Sequence, residues 1–314
     1  MAQRLEGQEL AASIRDRLSD HVDQLTEYGH RPTLATIHMG TDPGAATYVE
    51  MKQRDCDRLG VDGRHVDIDA DADARTLYDA IEDLNADPAV DGIMIQDDTP
   101  PHVDWMSAVR RIDPTKDVDG LHPDNLGRLM AGDPRFVPCT PLGIERLLAD
   151  NGIPIEGSDV AIVNHSTIVG KPLANLLVQK TDGTPSAAAK GATAAPNATV
   201  TVCHSATTDL AAKTRAADVV VVAVGIPEFL DGSMISEGAT VVDVGVSTVE
   251  REGGGRAQVG DVDVETVEPK ADYLTPNPGG VGPMTRAMLV YNTVRAAGLR
   301  ADIDPRHLPD QVSS

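Results

Sequence analysis

Aromatic side chains are scarce in this chain of 314 residues: one tryptophan, five tyrosines and two phenylalanines. A core built without them rests on small branched aliphatics. Lysine is also rare, occurring only at positions 52, 116, 171, 180, 190, 213 and 270, so the 27 basic residues are mostly arginine. They stand against 49 acidic ones, giving a net charge of −22. That charge disfavours nucleic acid as a partner. The acids are spread along the whole chain, which fits a surface adapted to a salty cytoplasm better than a patch for one basic partner. Three cysteines, Cys56, Cys139 and Cys203, lie far apart, with no CxxC and no histidines at metal-ligand spacing. A disulfide framework and a zinc site are both disfavoured, and a reducing, cytoplasmic location is expected. No apolar run reaches about 18 residues and no secretory signal opens the chain, so neither a membrane span nor export is expected.

What is present is a regular alternation. Apolar content of 41% is ordinary for a globular protein, and the length suggests two domains. Residues 5–28 have helical period, Thr33–Met39 reads as a buried strand, and a helix follows through Lys52. Val61–Ile68 is a weaker strand, 74–86 a helix, and Asp91–Gln96 a strand running into the Pro100–Pro101 turn. After PCTP at Pro138–Pro141, where Thr140 can cap a new helix, the pattern restarts. Strands are expected at Asp159–Asn164, Thr199–Cys203, Asp218–Val224 and Thr240–Val246, with helices at Pro172–Gln179 and 206–216. Such alternation implies parallel βαβ units, in which ligands gather at the carboxyl ends of the strands. Gln96 ends one of those strands. Residues 181–198, rich in Gly, Ala, Thr and Pro, read as a flexible surface loop, and 301–314 as a loose polar tail.

One helix carries a misplaced charge. In TYVEMKQRDCDRLG, Glu50, Gln53, Arg54 and Asp57 fall on one side, and Tyr48, Val49, Cys56 and Leu59 on the other. Lys52 sits in the middle of the apolar group. Thr47 with Glu50 can form a capping box, or the helix starts earlier with Asp42 as cap and Pro43 in its first turn. Burial lowers a lysine's pKa and lets it exchange protons near neutrality. The simpler reading of the spacing is a stem packed on the core with its head in water.

Three further stretches carry chemistry. In IDPTKDVDGLHPDNLGRL, Asp117 and Asp119 flank Val118 beside Lys116. No third carboxylate stands at calcium-loop spacing, so no metal is expected. NHSTIVGKP lacks GxGxxG, yet it places a glycine where a strand turns into a helix, and helix N-terminal amides suit phosphate. A plain strand-to-helix turn has the same ingredients. LTPNPGGVGPMT packs three glycines and three prolines into the stretch before a helix at Met284–Ala297. Gly279, Gly280 and Gly282 allow backbone to approach a flat ligand, and the prolines stiffen it, so it reads as a rigid binding loop.

Together, TYVEMK, GIMIQ, DPTKDVDGLHPDNLGRL, PCTPLGI, STIVGKP, VVVVAVG, VVDVGV and TPNPGGVGPMT resemble the bifunctional methylenetetrahydrofolate dehydrogenase/methenyltetrahydrofolate cyclohydrolase family, in the family's order and over nearly the whole chain. The resemblance implies an α/β fold of two domains with a cleft between them. A folate-binding catalytic domain would comprise 1–138 completed by 284–314, and a Rossmann-like NAD(P)-binding domain 139–283. It implies a cytoplasmic homodimer acting on a tetrahydrofolate-derived substrate. Lys52 would be the catalytic lysine, Tyr48 its neighbour stacked on the folate, Gln96 the residue that tunes the lysine, and Asp119 the one that holds the pterin. Pro278, Gly279 and Gly280 would border the same cleft. The dinucleotide would lie on Asn164, His165, Ser166, Ile168, Val169, Gly170, Ser205, Val224, Gly225, Gly245 and Val246.

Two departures stand out. The family usually opens its phosphate loop with glycine, then arginine or alanine, then serine; here the order is Asn164, His165, Ser166, and an asparagine can take a left-handed conformation at modest cost. His165, partly charged at neutral pH, would face a 2′-phosphate, and Ser205 can donate to it. No acidic residue ends the second strand of that half, so NADP is favoured, with NAD possible. Asp97 and Asp98 replace the apolar–proline pair that commonly follows the glutamine, adding negative charge at the folate mouth. The alternatives are a dehydrogenase lacking cyclohydrolase activity, a nucleotide-binding regulatory protein with a decayed site, and a dehydrogenase of small carbon acids. The retained Tyr48, Lys52, Gln96 and Asp119 argue against the first two, and the proline–glycine loop against the third.

Overall fold

The computed structural model describes residues 1–41, 43–180, 196–250 and 256–301. The chain begins with a two-residue strand, β1 (Gln3–Arg4), and helix α1 (Gly7–Glu27), whose inward stripe is Ala11, Ile14, Leu18, Val22 and Leu25. Strand β2 (Thr33–His38) is buried along its whole length. Helix α2 (Pro43–Leu59) starts at the proline, so Thr47 lies inside the helix and forms no capping box; Asp42 falls outside the described residues. Strand β3 (Asp62–Asp67), helix α3 (Ala74–Ala86) and strand β4 (Gly92–Ile95) complete a three-stranded parallel sheet in the order β3-β2-β4.

Two short helices follow, α4 (Trp105–Val109) and α5 (Pro123–Met130), the second starting inside the polar stretch 112–129 that carries Lys116 and Asp119. In α5, His122 Nδ1 accepts from the Asp124 amide and Pro123 occupies the first turn, both normal devices for starting a helix. Helix α6 (Cys139–Asp150) begins one residue before Thr140, so that threonine does not cap it. Its hydroxyl instead meets that of Thr285 at 3.1 Å.

The second half runs through β5 (Asp159–Val163), α7 (Gly170–Leu177), β6 (Thr199–Cys203), α8 (Leu210–Arg215), β7 (Val219–Val222) and β8 (Thr240–Asp243). A hairpin follows, β9 (Ser247–Glu250) with β10 (Arg256–Val259), then α9 (Val264–Val267), β11 (Tyr273–Leu274) and α10 (Val281–Arg300). The long sheet is parallel throughout, ordered β1-β11-β8-β7-β5-β6. Four consecutive valines in β7 are all buried, as expected of a central strand covered on both faces. Of the loop expected at 181–198, residues 181–195 lie outside the described residues, as does the tail from 302.

The terminal segments do not sit where a simple division of the chain would leave them. β1 is the edge strand of the second sheet, and α1, which follows it, packs against α10. Helix α10 begins three residues before the expected Met284, because Gly282 and Pro283 fit its first turn, where no amide needs a helical partner. It then reaches back to the first half: Asn292 Nδ2 donates to the carbonyls of Val118 (2.8 Å) and Val137 (3.1 Å), and Arg300 Nε to Asp91 (3.1 Å). One apolar cluster joins α1, α6, α7 and α10 to the lower face of the long sheet. No helix among the described residues is long and apolar enough to cross a membrane.

Lys116 is only 1% exposed, and its amine donates to the carbonyls of Leu84 (3.0 Å), Asn85 (2.8 Å) and Asp87 (2.7 Å). It satisfies the open end of α3 while fixing the start of the segment that carries Asp119. Lys116→Met keeps the stem but leaves these carbonyls unpaired. It is expected to lower stability by about 3 kcal/mol, read as a fall in the urea midpoint.

Candidate active site

Helix α2 turns Val49, Lys52, Asp55, Cys56 and Leu59 inward, so the lysine predicted on its apolar face is in fact buried, at 6% exposure. Its amine donates to Gln96 Oε1 at 2.8 Å and lies 3.1 Å from Met94 Sδ. Gln96 follows β4 directly, which explains the pairing: the strand's carboxyl end delivers the amide and the crossover helix delivers the amine. Desolvation pulls the Lys52 pKa down, and Asp119, Cys139 and Asp97 pull it back up. The stem does not snorkel to water; the head is held inside.

A cavity of about 160 Å³ opens against this amine. Lys52, Gln96, Asp97, Trp105, Asp119 and Thr140 are among its walls, with Ile168 from the loop after β5 and Arg286 from α10. A larger space of about 490 Å³ lies beside it, bordered by Pro278, Gly279 and Gly280 and by Gly245 and Val246 beyond β8. The proline–glycine loop is held by the start of α1: the Gly7 amide donates to the Gly279 carbonyl at 2.9 Å, and any side chain at Gly7 would collide with Gly280. Nothing in the sequence pattern pointed to Gly7.

Asp97 and Asp98 part company. Asp97 is exposed at the cavity mouth, but Asp98 turns away to His38, whose ring also meets Asp67 at 3.0 Å. The doubled negative charge expected at the mouth is therefore a single one. Tyr48 lies on α2 one turn before Lys52. Asp117 serves the backbone, accepting from the His122 amide (2.7 Å) and Asn125 Nδ2 (2.8 Å). Among the described residues no group of three or more His, Cys, Asp or Glu side chains is arranged to hold a metal ion.

The strand order of the long sheet reverses at β5, between β6 and β7, and the loops after β5 and β7 flank that crevice. Asn164 keeps an ordinary backbone conformation rather than the left-handed one expected. Its side chain shapes the turn instead: Oδ1 accepts from the amides of Ser166 (2.8 Å) and Gly170 (2.9 Å), and Nδ2 donates to the Ala223 carbonyl (2.6 Å). Gly170 is needed there, because a side chain would strike the Asn164 carbonyl. Ser166 Oγ accepts from the Val169 amide at 3.0 Å. The Val224 and Gly225 amides are taken by Asp261, so they form part of the frame. His165 is exposed and stacks on His204, ring centroids 5.0 Å apart, with Ser205 exposed next to it. Two imidazoles and a hydroxyl, with no carboxylate on β6's end, are a donor set that suits a phosphate-bearing ribose.

This geometry places the chain in a family. Residues 5–119 match the tetrahydrofolate dehydrogenase/cyclohydrolase catalytic domain and residues 138–301 the NAD(P)-binding domain of the same proteins. The chain belongs to the tetrahydrofolate dehydrogenase/cyclohydrolase family. Among its relatives is "Bifunctional protein FolD 1" of Haloarcula marismortui, 53% identical over 97% of this chain and 99% of that one. The solved bifunctional FolD enzyme of Campylobacter jejuni is 39% identical, with a TM-score of 0.86, covering 96% of this chain and all of that one. The Trypanosoma brucei methylenetetrahydrofolate dehydrogenase-cyclohydrolase, solved with NADP and an inhibitor, is 35% identical with a TM-score of 0.85, over 95% of this chain and 98% of that one.

Burial pushes the Asp119 carboxyl up to about 6, against the opposing pull of Lys52. The folded protein thus holds this proton more tightly than the unfolded chain, whose carboxyl titrates near 3.8. The stabilisation is fully present below about pH 4 and is lost as pH rises through about 6. Asp119→Asn is expected to flatten that part of the stability–pH curve, measured as urea midpoints across the range.

Proposed function

We infer that the protein oxidises 5,10-methylenetetrahydrofolate with NADP and hydrolyses the resulting 5,10-methenyltetrahydrofolate to 10-formyltetrahydrofolate. The observation that carries the second activity is the buried Lys52 amine, 2.8 Å from Gln96 and facing a cavity of the cleft. When bound, the nicotinamide supplies a hydride acceptor for the methylene carbon. The loop from Asn164 to Gly170, His165 and Ser205 would bind the dinucleotide, with Ile168 between it and the folate. Tyr48 would lie along the folate and Asp119 hold its pterin. The proposed division, 1–138 with 284–314 against 139–283, puts substrate and cofactor on opposite walls of the cleft. The hydrogen bonds from α10 to Val118 and Val137 support it.

Hydride loss leaves a methenyl cation. Water then forms a C–O bond to that carbon while one of its protons passes to the uncharged Lys52 Nζ. The hydrate's bond to N5 breaks as N5 takes up a proton and the hydroxyl gives one up. The net proton leaves from Lys52 to solvent. An amine whose pKa is lowered by burial can alternate between these states, whereas a guanidinium stays charged. Gln96 would fix the amine's direction without adding charge.

The three buried, unpaired cysteines fit a cytoplasmic setting. Among the described residues β6 is an edge strand, and with Val202 exposed it offers a strand for a second copy, in keeping with a homodimer. Sedimentation of the purified protein should give twice the chain mass.

Lys52→Met is expected to reduce methenyl hydrolysis at least about 100-fold, while hydride transfer changes by a different factor. Paired assays of methenyl loss and of NADP and NAD reduction, run at several salt concentrations, test this. Full retention of hydrolysis would remove Lys52 from the mechanism.

A further inference from the structure

Among the described residues, Arg286 is the single one that borders both cavities of the cleft. It stands in the first half of α10, just beyond the proline–glycine loop, and is 7% exposed. Its Nε donates to Asp55 Oδ2 at 2.8 Å. Asp55 is 3% exposed and stands three residues after Lys52 on the inward face of α2, so amine and carboxylate are neighbours on one helix. The other oxygen of Asp55 lies 3.7 Å from Arg15 of α1. Three helices therefore meet through two arginines and one carboxylate, a buried cluster with one excess positive charge behind the Lys52 cavity.

We propose that Arg286, tethered by Asp55, is a positioning residue that keeps Lys52 in its uncharged, proton-accepting state. The proposal rests on the reading of Lys52 given above. A fixed guanidinium on the wall of a small, poorly solvated cavity repels a second cation there. The groups facing Lys52 divide by sign: Asp119 from the segment before α5 and Asp97 after β4 favour the ammonium, Cys139 at the start of α6 does so when ionised, Gln96 is neutral, and Arg286 opposes it. Arg286 is the one cation among them. Asp55 fixes where the guanidinium stands and, as a carboxylate, partly offsets its charge; without it the arginine would be free to turn toward Asp119 or Asp97. Being buried, the cluster is screened little by salt, so its influence persists in a saline cytoplasm where surface charges lose theirs.

The test is the pH profile of methenyl hydrolysis, normalised to its own maximum so that the fraction of active enzyme does not enter, with NADP reduction in the same preparations reporting an assembled cleft. Arg286→Met is expected to move the acid-side midpoint upward by about one pH unit or more, in low and in molar salt alike. Arg286→Lys keeps the charge and is expected to leave the midpoint in place. Asp55→Asn removes the negative member and is expected to move it downward, and it decides the matter alone if Arg286→Met does not fold. An unmoved midpoint in Arg286→Met, equal shifts in the methionine and lysine variants, or no downward shift in Asp55→Asn would overturn the proposal. If Lys52→Met still hydrolyses the methenyl compound, the assignment of Lys52 fails first. If Lys52→Met is inactive while Arg286→Met leaves the midpoint unmoved, only the role of Arg286 fails.

Discussion

The structure depends on an amine kept out of water. Lys52 reaches Gln96 because α2 packs over β2 and β3, and the residue that ends β4 then meets the amine of the helix above. Burying an ammonium-bearing side chain is costly unless it is hydrogen-bonded or shifted toward neutrality. Both conditions are met here, one by Gln96 and the other by the burial of the amine. The remaining parts of the cleft hold that arrangement: Lys116 anchors the segment leading to Asp119, Gly7 seats the glycine loop, and Arg286 closes the wall between the two spaces.

Much of this was legible from residue order. Period and composition located the principal strands of both sheets and put Lys52 on the apolar face of its helix, although spacing alone favoured a head in water, and the amine is buried. What sequence spacing could not carry was contact between distant segments. Asp55 reads as one more polar residue of a charged helix until Arg15 and Arg286 are brought to it from two other helices. Asp98 reads as surface charge until β2 delivers His38. Asn164 looked like a left-handed turn residue, yet its carboxamide replaces that backbone geometry by bonding two amides at once. The start of α10 was read too late because glycine and proline usually end helices. In a first turn, a proline's missing donor has no partner to lose.

Charge is distributed in two populations with different behaviour in salt. The surplus acids lie mostly on exposed faces such as those of α1 and α3, where ions screen them. The ion pair that touches the site, Arg286 with Asp55, is buried and changes little with ionic strength. Solubility and chemistry are thereby governed by separate sets of residues.

The stitching of α10 onto β4 and α1 bears on how the chain acquires its shape during synthesis. Residues near position 10 meet partners near position 285, and the first sheet's back face stays uncovered until the last helix emerges from the ribosome. Contacts of such long sequence separation form late and slowly. A nascent chain of this protein therefore presents a greasy, unfinished half-domain for most of its translation, a state in which abundant negative charge helps keep neighbouring chains apart.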